Sequence, residues 1–419
     1  VNNTRRNEIL ALCQRAKAIG LYGFILFLPI SIALTQASLG LLFLTYLAET
    51  VLTKTFRFPA TPLNRPLLAY VVITMIITIF SVHFLTSVDE LRTIVVKVAV
   101  FYLFYLYIQD IPQLKRSVAI LILAVTLSAL YGILQHYLEV DFFRLTKPIA
   151  LLKHVDNDLK APVRIPGFSS YMTFSGQLAM MIPIICALLF AVKTKYKKGI
   201  LIIAMILTFL ALLWTYTRSA WIGAVCALIL LGYVRGKRLS ILFLLLLILP
   251  GIIIVQPDIF HRSLSVFRAK ENMERLYTWE STLYMIKDHL LTGIGKGNYS
   301  QLAPEYRKGY NFNFTSRAHA HNNILQVTVE GGMLSLLCFL WLWFVMFKEM
   351  DRTYLQIPEG NSVLKWLSLG LLGAIVAFFV QGFFEHNFGD SETVMMMWFI
   401  TALSLKLQAI LITKQEPNL

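Results

Sequence analysis

Within RAHAHNNILQVTVEGG, residues 317–332, Arg317, His319, His321 and an Asn322–Asn323 pair stand at the mouth of an apolar run that continues to Glu330, Gly331 and Gly332. An imidazole there suits proton transfer from a hydroxyl. A His-x-His pair on extended backbone shares a face and also invites zinc, but no third ligand is evident nearby in the sequence. A single working imidazole, His321, is the better reading, with His319, Arg317 and Asn322 contacting substrate and no metal expected. Gly332 falls about three turns deeper on nearly the same helical face as His321. Gly331 and Gly332 are expected to let another helix approach and fix that face. Glu330 points nearly opposite, which suits a structural lock. Opposite sign and comparable depth suggest Lys97 as its partner.

Three arginines extend the set. Arg218 lies in TYTRSAW, Arg164 in VRIPGFSSY, and Arg275 in a long polar segment late in the chain. Guanidinium groups hold a diphosphate through bidentate, charge-assisted hydrogen bonds. They can stand in for the divalent cation that commonly offsets charge on a departing diphosphate. No dense carboxylate cluster or G-x-S-x-G elbow occurs. Arginines with one histidine suit transfer of a group from a lipid diphosphate to an alcohol.

The elements that must position these residues are apolar helices. Of 419 residues, 57% are hydrophobic and only 15% charged, and the mean hydropathy is +0.66. This composition excludes an ordinary soluble domain and implies an all-α polytopic membrane protein. About twelve spans are expected, near 18–35, 37–53, 66–85, 93–109, 117–138, 170–192, 199–216, 218–234, 239–256, 321–347, 363–387 and 393–413. The net charge of +15 does not indicate a nucleic-acid partner, because the basic residues form short clusters between spans. With both termini in the cytoplasm, those clusters fall on the cytoplasmic side. The four cysteines make neither a disulfide framework nor a metal spacing.

Residues 1–256 are thus expected to hold spans one to nine, 257–320 a large outer loop, and 321–419 spans ten to twelve. Arg164, Arg218, Arg275 and His321 all come out at the outer surface. Both outer loops are rich in Lys and Arg, which favours anions and lipid headgroups there. In the larger loop, Leu276, Trp279, Leu283, Ile286 and Leu290 follow helical spacing and predict an amphipathic helix packed through that stripe. Arg275 then borders the packed face. TGIGKGNY, which follows, lacks a phosphate-loop pattern and is expected to be a plain turn.

At this point the sequence resembles the O-antigen ligases, within the O-antigen ligase/polymerase superfamily of bacterial membrane glycosyltransferases. HNNILQVTVEGG resembles a His-Asn-x9-Gly signature carrying His321, Asn322 and Gly332. TRSAW resembles an Arg-Ser/Gly-x segment carrying Arg218, and RLYTWESTLYMIKDHLLTGIGKGNY an arginine-bearing helix with its glycine turn, carrying Arg275. RIPGFSSYMTFSGQLA resembles an Arg-x-x-Gly-Phe segment carrying Arg164. The resemblance implies a glycosyltransferase C-type membrane fold in the bacterial inner membrane. It implies a glycan donor on undecaprenyl diphosphate, a lipid A–core acceptor, and an inverting, metal-independent reaction without cofactor on the periplasmic face. His321, Arg218 and Arg275 would be catalytic. An O-antigen polymerase using the same donor, a protein O-glycosylating enzyme and a lipid-linked sugar transporter remain alternatives.

Overall fold

The structure, a computed structural model, describes residues 3–143, 155–156, 159–160, 164–236, 269–310 and 318–415. Helices dominate them, and one two-residue antiparallel pair, β1 (Val155–Asp156) with β2 (Leu159–Lys160), is the exception. The first eight helices are α1 (Asn3–Phe27), α2 (Ile32–Thr53), α3 (Asn64–Ile79), α4 (Phe84–Tyr107), α5 (Ile111–Leu138), α6 (Tyr171–Ala191), α7 (Lys195–Trp214) and α8 (Arg218–Arg235). After them come α9 (Ala269–Asp288), α10 (Tyr299–Tyr306), α11 (Asn323–Gln356), α12 (Ser362–Gln381) and α13 (Ser391–Gln415). Among the described residues, nine helices are long and apolar enough to cross a membrane: α1, α2, α5 to α8 and α11 to α13. The chain is an all-α polytopic membrane protein. The shorter α3 and the charge-bearing α4 occupy the third and fourth expected spans, and the ninth, 239–256, lies outside the described residues.

Three boundaries differ from expectation. The first hairpin turns at 28–31 and not near residue 36, because Pro29 cannot donate a helical hydrogen bond and Ser31 caps α2 by accepting the Leu34 N–H. The tenth span continues past 347 to Gln356. The eleventh stops at Gln381, leaving 382–390 as a loop with the sequence GFFEHNFGD.

The bundle is centred on α6 and α12, the most buried of the candidate spans. α8 crosses α12 so closely that a Cβ at Gly223 would sit 2.5 Å from the Ala377 carbonyl oxygen. Small residues of this kind let membrane helices approach where hydrophobic force between them is lacking. On the other flank, the Phe104 ring of α4 meets Phe399 of α13 at 4.8 Å between centroids.

α11 is broken at Gly332, where φ is 64° and ψ −173°. The break strands backbone groups that a continuous helix would pair. They are recovered by the glycine-rich segment after α9: Ile294 N–H donates to Val329 O at 2.9 Å, Gly295 N–H to Glu330 O at 2.9 Å, and Met333 N–H to Leu290 O at 2.9 Å. A Cβ at Gly332 would overlap the Leu291 carbonyl. The close neighbour of Gly332 is therefore loop backbone, while a Cβ at Gly331 would lie 3.6 Å from Ile77 of α3. TGIGKGNY is a clasp of loop backbone bonded to α11 at its break.

The clasp also overturns the expected Lys97–Glu330 pair. Glu330 accepts from Lys296 Nζ at 3.0 Å, Gly297 N–H at 3.0 Å and Gln326 Nε2 at 2.9 Å. Burial works against the Lys296 charge, but Tyr70 and Glu330 more than offset it and hold its pKa above the ordinary lysine range. Lys97 instead donates to the Gly389 carbonyl at 2.7 Å. Similar depth does not fix which way a helical side chain points, and a clasp lysine reaches Glu330 first.

The predicted helix over the late loop is α9, but only part of its apolar stripe packs: Ile286 is buried and Trp279 half-buried. Leu276, Leu283 and Leu290 are exposed, whereas Thr278, Ser281, Thr282 and Met285 are buried. The polar face can pack because it finds partners, as where Thr282 Oγ1 and the Tyr299 hydroxyl lie 2.7 Å apart.

Candidate active site

The site is assembled at the start of α11. Asn322 is the N-cap: its Oδ1 accepts the Leu325 N–H at 3.0 Å, and its Nδ2 donates to Phe383 O at 3.0 Å. Both ends of the carboxamide are thus used in folding. His321 precedes it with φ of 51°, a left-handed conformation uncommon for a residue with a Cβ. Ala320 is held from two sides. Its N–H donates to Gln326 Oε1 at 2.7 Å, and its carbonyl accepts Trp279 Nε1 of α9 at 3.0 Å. The helix carrying Arg275 is thereby tied to the histidine segment.

Opposite lies the 382–390 loop, laced to α11 by Asn323. The Asn323 N–H donates to Gly382 O at 2.7 Å, and its Nδ2 donates to Asn387 Oδ1 at 2.6 Å. Its Oδ1 accepts the Phe388 N–H at 3.1 Å and lies 3.1 Å from His386 Nδ1. These bonds aim Glu385 at His321. The carboxylate oxygens sit 3.1 and 3.3 Å from His321 Nδ1. Arg275 Nη2 is 3.9 Å from Oε2, and His319 Nε2 is 3.7 Å from Oε1. Glu385, His319, His321 and Arg275 therefore form one cluster, although they come from three separate parts of the chain.

The electrostatics assign the protons. Burial alone would raise the Glu385 pKa, but the His321 hydrogen bond and the neighbouring His321, His319 and Arg275 side chains hold it below the usual carboxylate range. An ionised carboxylate only accepts, so His321 Nδ1 carries the hydrogen of that bond. Burial, with the neighbouring His321 and Arg275 adding to it, pulls the His319 pKa down to about 4 despite Glu385. His319 is neutral, and its Nδ1 accepts the His321 backbone N–H at 3.3 Å. Burial likewise keeps His386 neutral, its pKa well below the ordinary histidine value.

The other expected residues fall elsewhere. Arg218 begins α8 after a three-residue turn in which Tyr216 has φ of 52°. Because α8 and α12 run antiparallel with Gly223 against Ala377, Arg218 stands level with the end of α12, where the Glu385 loop starts. The Arg164 guanidinium lies over the Tyr171 ring at 4.8 Å. The Ile165 N–H beside it donates to Trp214 O at 3.1 Å. Arg317 lies outside the described residues. Gly331, Gly332, Glu330 and Lys97 belong to the clasp and its surroundings described above.

Glu385, His386 and Asn387 are not singled out by the sequence. The signal is a run of Glu, His and Asn at the end of the expected 363–387 span, with Asp390 just beyond it. Glu385 also supplies the third metal-type ligand that local sequence lacked: ligand atoms of His319, His321 and Glu385 lie within 4.8 Å of one another. Arg275 faces the same carboxylate and supplies positive charge there.

Behind the His319–Glu385 wall is a cavity of about 430 Å³. It reaches between α3, α4, α6 and α13, and is bordered by the clasp residues Lys296 and Gly297.

Residues 203–340 match the family model described as O-antigen ligase. The match runs from α7 into α11 and takes in Arg218, Arg275, Arg317, His319, His321, Asn322, Glu330, Gly331 and Gly332. No curated protein matches the chain. The chain thus combines membrane-crossing helices with a segment, lying over Arg218, Arg275 and the histidines, that is similar to the O-antigen ligase family.

Proposed function

We propose that this protein transfers a glycan from undecaprenyl diphosphate to a sugar hydroxyl of lipid A–core, on the periplasmic face of the bacterial inner membrane. The observation that carries this reading is a buried carboxylate, Glu385, committed to His321 Nδ1 while facing Arg275. Such a carboxylate fixes the tautomer and orientation of a basic imidazole and stabilises the imidazolium that forms.

The acceptor oxygen attacks the anomeric carbon of the donor, and its proton passes to His321 Nε2. The bond from that carbon to the phosphate oxygen breaks, and its electron pair leaves on the diphosphate. Attack opposite the leaving group inverts the anomeric centre. Arg275, at 3.9 Å from Glu385, is in ion-pair range but beyond a hydrogen bond, so its N–H groups remain available to phosphate oxygens. Arg218, level with the Glu385 loop, supplies a second guanidinium, and together they offset the charge developing on the diphosphate. His319 holds the His321 backbone, and Asn322 caps the helix behind it.

The test is transfer by purified protein from a defined lipid diphosphate glycan to lipid A–core with divalent ions chelated. The expected result is a linked product. Transfer only to a second lipid-linked glycan would replace this reading with the polymerase, and a requirement for Mg²⁺ would contradict the arginine-based stabilisation.

A further inference from the structure

The cavity behind the His319–Glu385 wall takes no part in the steps above, and its lining is not that of a diphosphate site. Four carboxylates, Glu90, Glu330, Glu385 and Asp390, face two ammonium groups, Lys97 and Lys296. That balance works against an anionic ligand. Glu330 and Lys296 are already committed to each other in the clasp.

Lys97 is different. It is 7% exposed and lines the cavity. Its one hydrogen bond among the described residues goes to the Gly389 carbonyl at 2.7 Å, and none of the described carboxylates forms a salt bridge with it. An ammonium has three donors to place, and a charge inside a membrane bundle without a carboxylate contact marks a functional position by default. Asp390, whose Oδ2 accepts from Thr393 Oγ1 at 2.7 Å, also lines the cavity. Glu90 stands exposed at the mouth. The buried rings of Tyr70 and Trp398 form the floor. The volume of about 430 Å³ is that of a small-ligand pocket.

Donors and acceptors side by side, over aromatic faces and with little net attraction for anions, match a neutral polyhydroxylated ring. We propose that this cavity is a saccharide subsite, in which Lys97, Glu90 and Asp390 hydrogen-bond the hydroxyls of one sugar unit of a substrate glycan above Tyr70 and Trp398. The identity of that glycan rests on the transfer reading; binding of a saccharide does not.

The test uses the full chain in detergent and two probes: the oligosaccharide freed by mild acid from the lipid diphosphate donor, and the core oligosaccharide freed from lipid A. One of them is expected to bind the wild type, with affinity falling about tenfold or more in Lys97→Met and in Asp390→Asn. In transfer, KM for the matching substrate is expected to rise by a similar factor with kcat nearly unchanged. The probe that binds tells donor from acceptor. Absence of binding by both oligosaccharides, or wild-type affinity in the variants, overturns the proposal. If Lys97→Met does not yield folded protein, Asp390→Asn decides alone. If a saccharide binds but the wild type transfers nothing, the transfer reading fails and the subsite stands.

Discussion

Two charged regions lie close together in this apolar bundle and are built in opposite ways. At the clasp, the Glu330 carboxylate takes three hydrogen bonds from protein, all at 2.9 to 3.0 Å. At the site, Glu385 takes one imidazole and the His386 backbone N–H, at 3.1 to 3.3 Å, and keeps His319 and Arg275 at the longer distances of 3.7 and 3.9 Å. The first arrangement is saturated by the fold. The second gathers charge that the fold only partly uses. A buried charge in a membrane protein is a functional candidate by default, and counting its partners separates the lock from the site.

The sharpest way to break the comparison is at the lock. Glu330→Ala strands Lys296 and the Gly297 N–H, and is expected to cost on the order of 3–5 kcal/mol of stability. Thermal melting in detergent checks this; unchanged melting would mean that the clasp is not held by Glu330. Glu385→Gln tests the other side. It keeps an acceptor for His321 Nδ1 but removes the charge, and transfer is expected to fall roughly 10²-fold with melting little changed. A loss of stability without a specific loss of rate would move Glu385 into the structural class.

Smaller effects sharpen the contrast. The His319 pKa is lowered to about 4 from an ordinary 6.5, and that of Glu385 is lowered as well. In both cases the unfolded chain binds the proton first on acidification. Stability present above pH 6.5 should therefore be lost as the pH falls toward 4, and His319→Ala should flatten the upper part of that loss. A melting profile flat over this range in the wild type would contradict a buried neutral His319. The smallest expected effect is at the cap, where Asn322→Ala should cost about 1 kcal/mol, read by melting, with transfer reduced only through misplacement of His321.

Much of the site was legible because helix starts and basic residues announce themselves. His321 precedes an Asn cap, and Arg275 lies on a helical pattern. What stayed hidden depends on azimuth and on long-range pairing. The Leu276–Leu283–Leu290 stripe looks like a packed face, but in this bundle it is exposed while a Ser/Thr face packs. Glu385 was absorbed into a span because GFFEHNFGD follows directly on an apolar run, and only the Asn323 bonds turn that stretch into a loop aimed at His321. The first hairpin was misplaced by several residues although Pro29 and Ser31 marked it.

The most direct measurement is the rate of glycan transfer by purified His321→Ala protein at saturating donor, set beside its melting temperature. The expected result is a loss of about 10²- to 10⁴-fold in rate with the wild-type melting temperature retained. Transfer close to the wild-type rate in the folded variant would contradict His321 as the group that takes the acceptor proton.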